Sequence, residues 1–269
     1  TCMGVGGCLA IAGLQVQTIT NNPLSSPYTL GISSGASFGA AIAIVTGISI
    51  CGFQWIGTAL TAFAFALFVT MTIFVLGRLK RMSAHTLVLI GIVMNFFFSA
   101  LQQYLQYSAS AEIAQIISNW TFGNLSRASW TSAGVGLIAT ALGMLFFAGI
   151  SWKLTAFSAG EERAKSLGIQ VERLKMAVFL ASSLLITAAV GFIGTVGFVG
   201  LVAPHCARLL VGEDQRYLMP TTTMFGMVVM LAASTVSKLL SEGSMLPVGI
   251  ITSIVGVPFL FVLLMREVK

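Results

Sequence analysis

Few residues in this sequence could do chemistry, and their spacing decides which kinds remain open. The chain has two histidines, four cysteines and eight acidic residues. His205 follows Pro204 in APHCAR, near a helix start, with no second ligand beside it, and reads as structural. No H-E-x-x-H is present and no Ser–His spacing supports a nucleophile–base pair, which argues against an intramembrane hydrolase. Neither a dedicated iron site nor a haem ligand pair is supported by so few donors. Cys2, Cys8, Cys51 and Cys206 stand apart in apolar or Gly-rich contexts without C-x-x-C and read as small packing residues. Gly31, Gly35 and Gly39 are not followed by Lys-Ser/Thr, so they read as a small-xxx-small packing register rather than a phosphate cradle. No cofactor is expected. Two features are left. Asn95, Ser99 and Gln102 fall at i, i+4 and i+7, on one helix face, where such a stripe either bonds a neighbouring helix or lines an aqueous cavity. The other is FSAGEERAKSLGIQVERLK (157–175), which holds seven charged side chains in a chain with only 14 basic and 8 acidic ones.

The elements that position these residues follow from hydropathy. At 8% charged, 57% hydrophobic and a mean hydropathy of +0.95, the chain cannot cover a water-facing surface, since soluble domains carry about 25% charged residues. Apolar windows of roughly 17–25 residues suit helices crossing ~30 Å of hydrocarbon, and no alternating ~10-residue strands are visible. The fold class is therefore an all-α polytopic membrane protein. Spans are expected near 3–20, 35–50, 55–77, 87–107, 133–152, 176–194, 197–211, 220–240 and 249–265, within one transmembrane domain, 1–269. The opening TCMGVGGCLAIAGLQ reads like the inside of a transmembrane helix, with an upstream segment expected before it. Nucleic acid is not an expected partner, because basic loops facing the cytoplasm account for the high pI.

Orientation follows from Lys and Arg. One side collects Arg78, Lys80, Arg81, Lys153, Arg163, Lys165, Arg173, Lys175, Arg208, Arg216, Arg266 and Lys269, whereas the other has Arg127 and Lys238. The positive-inside rule then places 153–175 and the C-terminus in the cytoplasm. Across the membrane, Trp120 and Trp130 suit an interfacial belt, and AEIAQIISNW has the apolar spacing of a short surface helix. Within 157–175, Ser158 and Glu161 have capping-box spacing, Glu161 and Glu162 suit a helix's positive end, and Gly168 suits its C-terminal turn. Ala164, Leu167 and Ile169 beside these charges are expected to form a docking surface. A second short helix is expected to start near Val171 and run into the following span.

Three passages carry a resemblance: NNPLSSPYTLGISSGASFGAA (21–41), GFIGTVGFVGLVAPHCARLLVGEDQRYLMP (191–220) and LPVGIITSIVGVPFLFVLLMR (246–266). The sequence resembles the iron-chelate uptake permeases of the FecCD family over essentially its whole length and in order. That resemblance implies a ten-helix subunit, with the first helix absent here. It also implies pairing with a second permease, identical or related, and cytoplasmic ATPase subunits that hydrolyse the ATP. An extracytoplasmic binding protein and the lipid of a bacterial cell membrane complete the implied partners. It further implies ATPase coupling through AGEERAKSLGIQ, hence Glu161, Glu162, Arg163, Ala164, Leu167 and Gly168. A cytoplasmic gate would lie at Ser83, Ala84 and His85, where His85 could equally be a plain interfacial histidine. The path would run beside 87–107 and 249–265, with Asn95, Ser99 and Gln102. Lys238 would dock a glutamate of the binding protein or snorkel at the interface. The implied cargo is a ferric siderophore, with haem or cobalamin as alternatives. An ion-coupled transporter would show inverted repeats and intramembrane carboxylates, which the spans lack.

Overall fold

A chain immersed in lipid must satisfy its backbone N–H and C=O groups internally. Here helices do so. The structure is a computed structural model that describes residues 1–50, 52–79, 84–241 and 246–267, leaving aside the side chains at 84, 85, 127, 262–264, 266 and 267. Among these residues the helices are α1 (Cys2–Thr20), α2 (Ile32–Thr46), α3 (Gln54–Leu79), α4 (Ala84–Ser108), α5 (Ala111–Thr121), α6 (Trp130–Gly149), α7 (Ser151–Ser158), α8 (Glu161–Ser166), α9 (Val171–Ile193), α10 (Val199–Val211), α11 (Gln215–Leu240) and α12 (Val248–Glu267).

Each expected span falls on one apolar helix. Six helices (α1, α3, α4, α6, α9 and α11) are long and apolar enough to cross a bilayer, and α2, α10 and α12 are shorter apolar helices. The fifth span ends earlier than hydropathy suggests: the chain breaks at Ile150, between α6 and α7. The helix expected to start near Val171 runs into its span as one continuous helix, α9.

The central helix is α1, with 89% of its apolar window buried. Its glycines explain how three neighbours approach it. A Cβ on Gly4 would lie 2.6 Å from the Gly136 carbonyl carbon of α6, one on Gly6 2.3 Å from the Gly226 oxygen of α11, and one on Gly13 2.1 Å from the Gly200 oxygen of α10. Without side chains between them, backbones pack directly, as small residues allow in membranes. The outward helices carry the lipid face. Trp130 is 95% exposed at one end of α6 and Trp152 is exposed just past its other end, with Lys153 Nζ 5.7 Å from the Trp152 ring. Those two aromatics suit the opposite edges of ~30 Å of hydrocarbon.

Trp120 does not join that belt. The short helix expected around it forms as α5, capped by Ser110, but Ile117 and Trp120 share its inner face, and Trp120 is only 4% exposed.

Two crossings are incomplete as helix. At 1.5 Å per residue, the 15 residues of α2 and the 13 of α10 span only about 20 Å. The irregular stretches 21–31 and 194–198 make up the remainder. Irregular backbone at membrane depth is tolerated where protein covers it or where it lines a cavity, and both conditions occur here.

Candidate translocation cavity and coupling segment

The two irregular stretches are tied to a third, 121–124, at the end of α5. Tyr28 Oη donates to Thr195 Oγ1 at 3.1 Å, and Thr195 Oγ1 donates to the Thr121 carbonyl. Gln102 Nε2 of α4 donates to Thr121 Oγ1 at 2.7 Å. Backbone bonds tighten this knot. Asn124 N–H donates to Ile193 C=O at 2.7 Å, closing the end of α9, while Val248 and Gly249 N–H donate to Gly123 and Phe122 C=O at 2.8 and 3.1 Å. The latter pair satisfies first-turn amides of α12 that have no partner within their own helix.

Beside the knot lies a cavity of about 590 Å³, bordered by residues that include Tyr28, Asn95, Thr121, Thr195, Phe198 and Ser253. Among the described residues its walls are hydroxyl, amide and apolar groups, and none of those lining side chains is charged. Phe198 adopts φ +66°, a left-handed conformation costly for an aromatic residue. Its ring fills the notch at Gly256 of α12, where a Cβ would come 2.2 Å from Phe198 Cγ. The glycine on one helix makes room for a strained side chain on another.

The polar face on α4 divides between its two readings. Asn95 both borders the cavity and accepts a hydrogen bond from Ser34 Oγ of α2. Gln102 is buried against Thr121, bonding helices rather than facing the cavity, and Ser99 is half-buried. Ser83 lies outside the described residues, and Ala84 and His85 begin α4 with side chains outside them. Tyr28, Thr195, Phe198 and Ser253 had no individual signal in the sequence. What could have indicated them was the shortness of the adjoining apolar segments. His205 is half-buried with its ring edge-on to Phe259 at 5.6 Å. No group of three His, Cys, Asp or Glu able to hold a metal occurs among the described residues.

The charged segment forms α7 and α8, but Ser158 does not cap α8. Its hydroxyl donates back to Leu154 C=O at 3.1 Å as the last residue of α7, and Gly160 (φ +118°) stands at the N-cap of α8. The Ala159–Gly160 turn carries Ser158 away from the Glu161 amide. The other end is as expected. Gly168 (φ +76°) donates to Lys165 C=O at 2.9 Å and Ile169 to Ala164 C=O at 3.1 Å, the paired bonds of a Schellman turn.

This turn sets which apolar residues face outward. Ala164 is fully buried and Ile169 nearly so, and of the three only Leu167, 62% exposed, presents its apolar side chain to solvent. The expectation that all three form one outer surface is corrected accordingly. Glu161 also points inward: its Oε2 lies 2.8 Å from Nζ of Lys175, a residue just 1% exposed, while Lys165 Nζ lies 3.1 Å from Glu161 Oε1. Partial burial raises the Glu161 carboxyl, but hydrogen bonds and charge from Lys175 and Lys165 outweigh it and hold its pKa below the usual carboxylate range. Glu162 and Arg163 are exposed, and so is Lys238 in the last turn of α11.

A bundle of apolar helices, two of them completed by irregular chain around an uncharged cavity, defines a multi-pass membrane permease. Residues 1–266 match the model of the FecCD transport family. The chain belongs to that family, whose members include permeases of ATP-binding-cassette transporters. It is 38% identical to a Methanocaldococcus jannaschii chain assigned as an ABC transporter permease, over 98% of this chain and 78% of the relative. Identity is 34% to the cobalamin import system permease of Halobacterium salinarum, covering 98% and 70%, and 32% to the molybdate import system permease of Haemophilus influenzae, covering 99% and 78%. A solved structure assigned as a metal-chelate type ABC transporter in an inward-facing conformation superposes with a TM-score of 0.89 at 31% identity, covering 98% of this chain and 83% of the other.

Proposed function

We propose that this chain is the permease subunit of an importer that carries an intact iron chelate, a ferric siderophore, into the cell. The observation that favours a chelate is the uncharged wall of the 590 Å³ cavity. A chelate wraps the metal's charge in organic ligands and can cross hydroxyl and apolar surfaces. A small oxyanion such as molybdate would call for basic side chains or converging N–H donors. Haem or cobalamin would meet the same walls, so either is the alternative cargo, and relatives carrying each kind of name support keeping them in view.

In this reading the chain forms no bonds in its cargo and hydrolyses no ATP. A cytoplasmic ATPase subunit docks on α7–α8 through Leu167, Glu162 and Arg163, with Gly168 shaping the turn. A second permease copy, or a related one, completes the path. The turn at Ser83, Ala84 and His85 narrows its cytoplasmic end. Lys238 meets a carboxylate of an extracytoplasmic binding protein. The distribution of Lys and Arg supports a cytoplasmic C-terminus. The test is uptake into proteoliposomes holding the complete importer, with ⁵⁵Fe-ferrichrome, haem, cyanocobalamin and molybdate compared under ATP. ATP-dependent accumulation of ferrichrome supports the reading. Uptake of molybdate alone would sink it.

A further inference from the structure

The helix α8 has six residues, too few to hold its own shape or to transmit a push by itself. What fixes it is visible at Lys175, on the second turn of α9. The Lys175 ammonium is 2.8 Å from Glu161, the first residue of α8, and 5.6 Å from the centroid of the Phe157 ring, near the end of α7. One buried cation therefore joins three consecutive helices. Lysine is almost never fully buried unless paired, and a long polar side chain with access to water would snorkel out. Here it is held inward by a carboxylate from one element and an aromatic face from another.

The position of this junction matters for force. From Lys175, α9 continues unbroken to Ile193, and the residues that follow, Thr195 and Phe198, border the cavity. At that far end Gly194 (φ +83°) is pressed so close to α5 that a Cβ on it would stand 1.8 Å from the Trp120 carbonyl oxygen. A displacement of α8 that α9 follows would therefore arrive at the cavity wall. One that α9 does not follow would be absorbed in the Ala159–Gly160 and Leu167–Ile169 turns.

We infer that Lys175 and Glu161 are positioning residues for coupling: their ion pair rivets α8 to α9, so that motion imposed on α8 by the ATPase moves α9 and the 194–198 segment. This rests on the proposed docking of the ATPase on α7–α8 and revises one part of it, since Glu161 acts inside the permease instead of touching the partner. Shared displacement of two packed elements is the physical content.

The experiment uses the complete importer in nanodiscs, with binding protein present. Its readouts are ATPase-subunit retention, ATP hydrolysis, and hydrogen exchange at α8 and at 194–198 with and without ATP plus vanadate. In the unmodified importer, exchange in both segments should change together on trapping. With Glu161→Gln the ATPase subunit should stay bound and hydrolysis continue. The response at α8 should persist, while the response at 194–198 falls roughly fivefold or more, the lower range of ordinary coupling between sites. The exchanged pair Glu161→Lys with Lys175→Glu, made together with Lys165→Gln so that no like charge faces position 161, should recover most of the response, because it restores attraction with the signs reversed. A full 194–198 response in Glu161→Gln, or an exchanged pair as defective as the single change, overturns the rivet. Leu167→Asp separates the two layers: it should release the ATPase subunit. Retention of that subunit in Leu167→Asp would overturn the docking assignment itself, whatever Glu161→Gln does.

Discussion

Thr195→Val tests whether the irregular stretches at the cavity are held by the hydroxyl knot. Thr195 is buried and its hydroxyl makes two bonds, accepting from Tyr28 Oη at 3.1 Å and donating to the Thr121 carbonyl. Valine keeps the shape and removes both. Losing a neutral hydrogen bond costs about 1 kcal/mol, and leaving a buried partner unpaired brings the cost of that group to about 1–3 kcal/mol. The Thr121 carbonyl would pay toward the top of that range. Tyr28 borders the cavity, so water can replace its lost acceptor and the cost there stays near 0.5–1 kcal/mol. Together Thr195→Val should lose about 3–4 kcal/mol, while Thr195→Ser, which keeps the hydroxyl, should lose less than about 1 kcal/mol. Tyr28→Phe alone should cost about 1 kcal/mol. In the double variant Tyr28→Phe removes the hydroxyl that Thr195→Val leaves without its partner, so the combined loss should fall below the sum by about 0.5–1 kcal/mol. Unfolding of the unmodified chain and the four variants in one detergent, followed by far-UV signal against denaturant, measures these differences. Thr195→Val as stable as the unmodified chain, or strict additivity with Tyr28→Phe, would refute the knot.

Ala164→Asp and Leu167→Asp should differ although they are one turn apart. Ala164 is fully buried, so a carboxylate there should destabilise the segment by several kcal/mol and show as proteolysis between α7 and α9. Leu167→Asp should leave the fold within about 0.5 kcal/mol and release the ATPase subunit in a pull-down. Lys238→Glu should weaken binding-protein association a few-fold at low salt and hardly at all once the Debye length falls below about 8 Å, as read by surface-immobilised binding. For Glu161 the sign follows from its lowered folded pKa. The stability it supplies is complete above the unfolded carboxylate value of 4.5 and is lost as pH falls through the lower folded value. The gap in α7–α8 protection between unmodified chain and Glu161→Gln should therefore be present at neutral pH and close as the pH falls below the ordinary carboxylate range.

Hydropathy was enough to place the apolar helices because lipid imposes a length on every crossing. It was least exact where a crossing is only partly helical. The glycine-rich starts of α2 and α10 look, in sequence, like weak ends of a span. In three dimensions Gly31 lets its stretch press against α4, a Cβ there falling 2.7 Å from the Asn95 amide nitrogen. The stretch 194–198 is likewise held by side-chain bonds to α5. Trp120 was misplaced for a related reason. A tryptophan near a span end suits the interface by type alone, but its partner Ile117, three positions earlier on the same helix, turns that face inward. Periodicity within α5 carried the information, and residue type concealed it.

The coupling segment shows the same limit in reverse. The helix α8, the helical start at Val171, the Schellman end and the exposed charges were legible because each depends on neighbours within a few residues, whereas α7, which takes in Ser158, was not foreseen. The inward direction of Ala164 and Glu161 was not, because it depends on α9 passing beneath α8 and bringing Lys175 to the first residue of that helix. Seven charges in nineteen positions read as parts of one docking surface. They are two populations. Glu162, Arg163, Lys165, Glu172 and Arg173 are exposed, with Leu167 beside them, where a soluble partner can reach them, whereas Glu161 and Lys175 face each other beneath. A loop that only connects two spans has no use for a buried lysine. A loop that must move a helix without bending does, because a paired buried charge has few alternative arrangements at comparable energy.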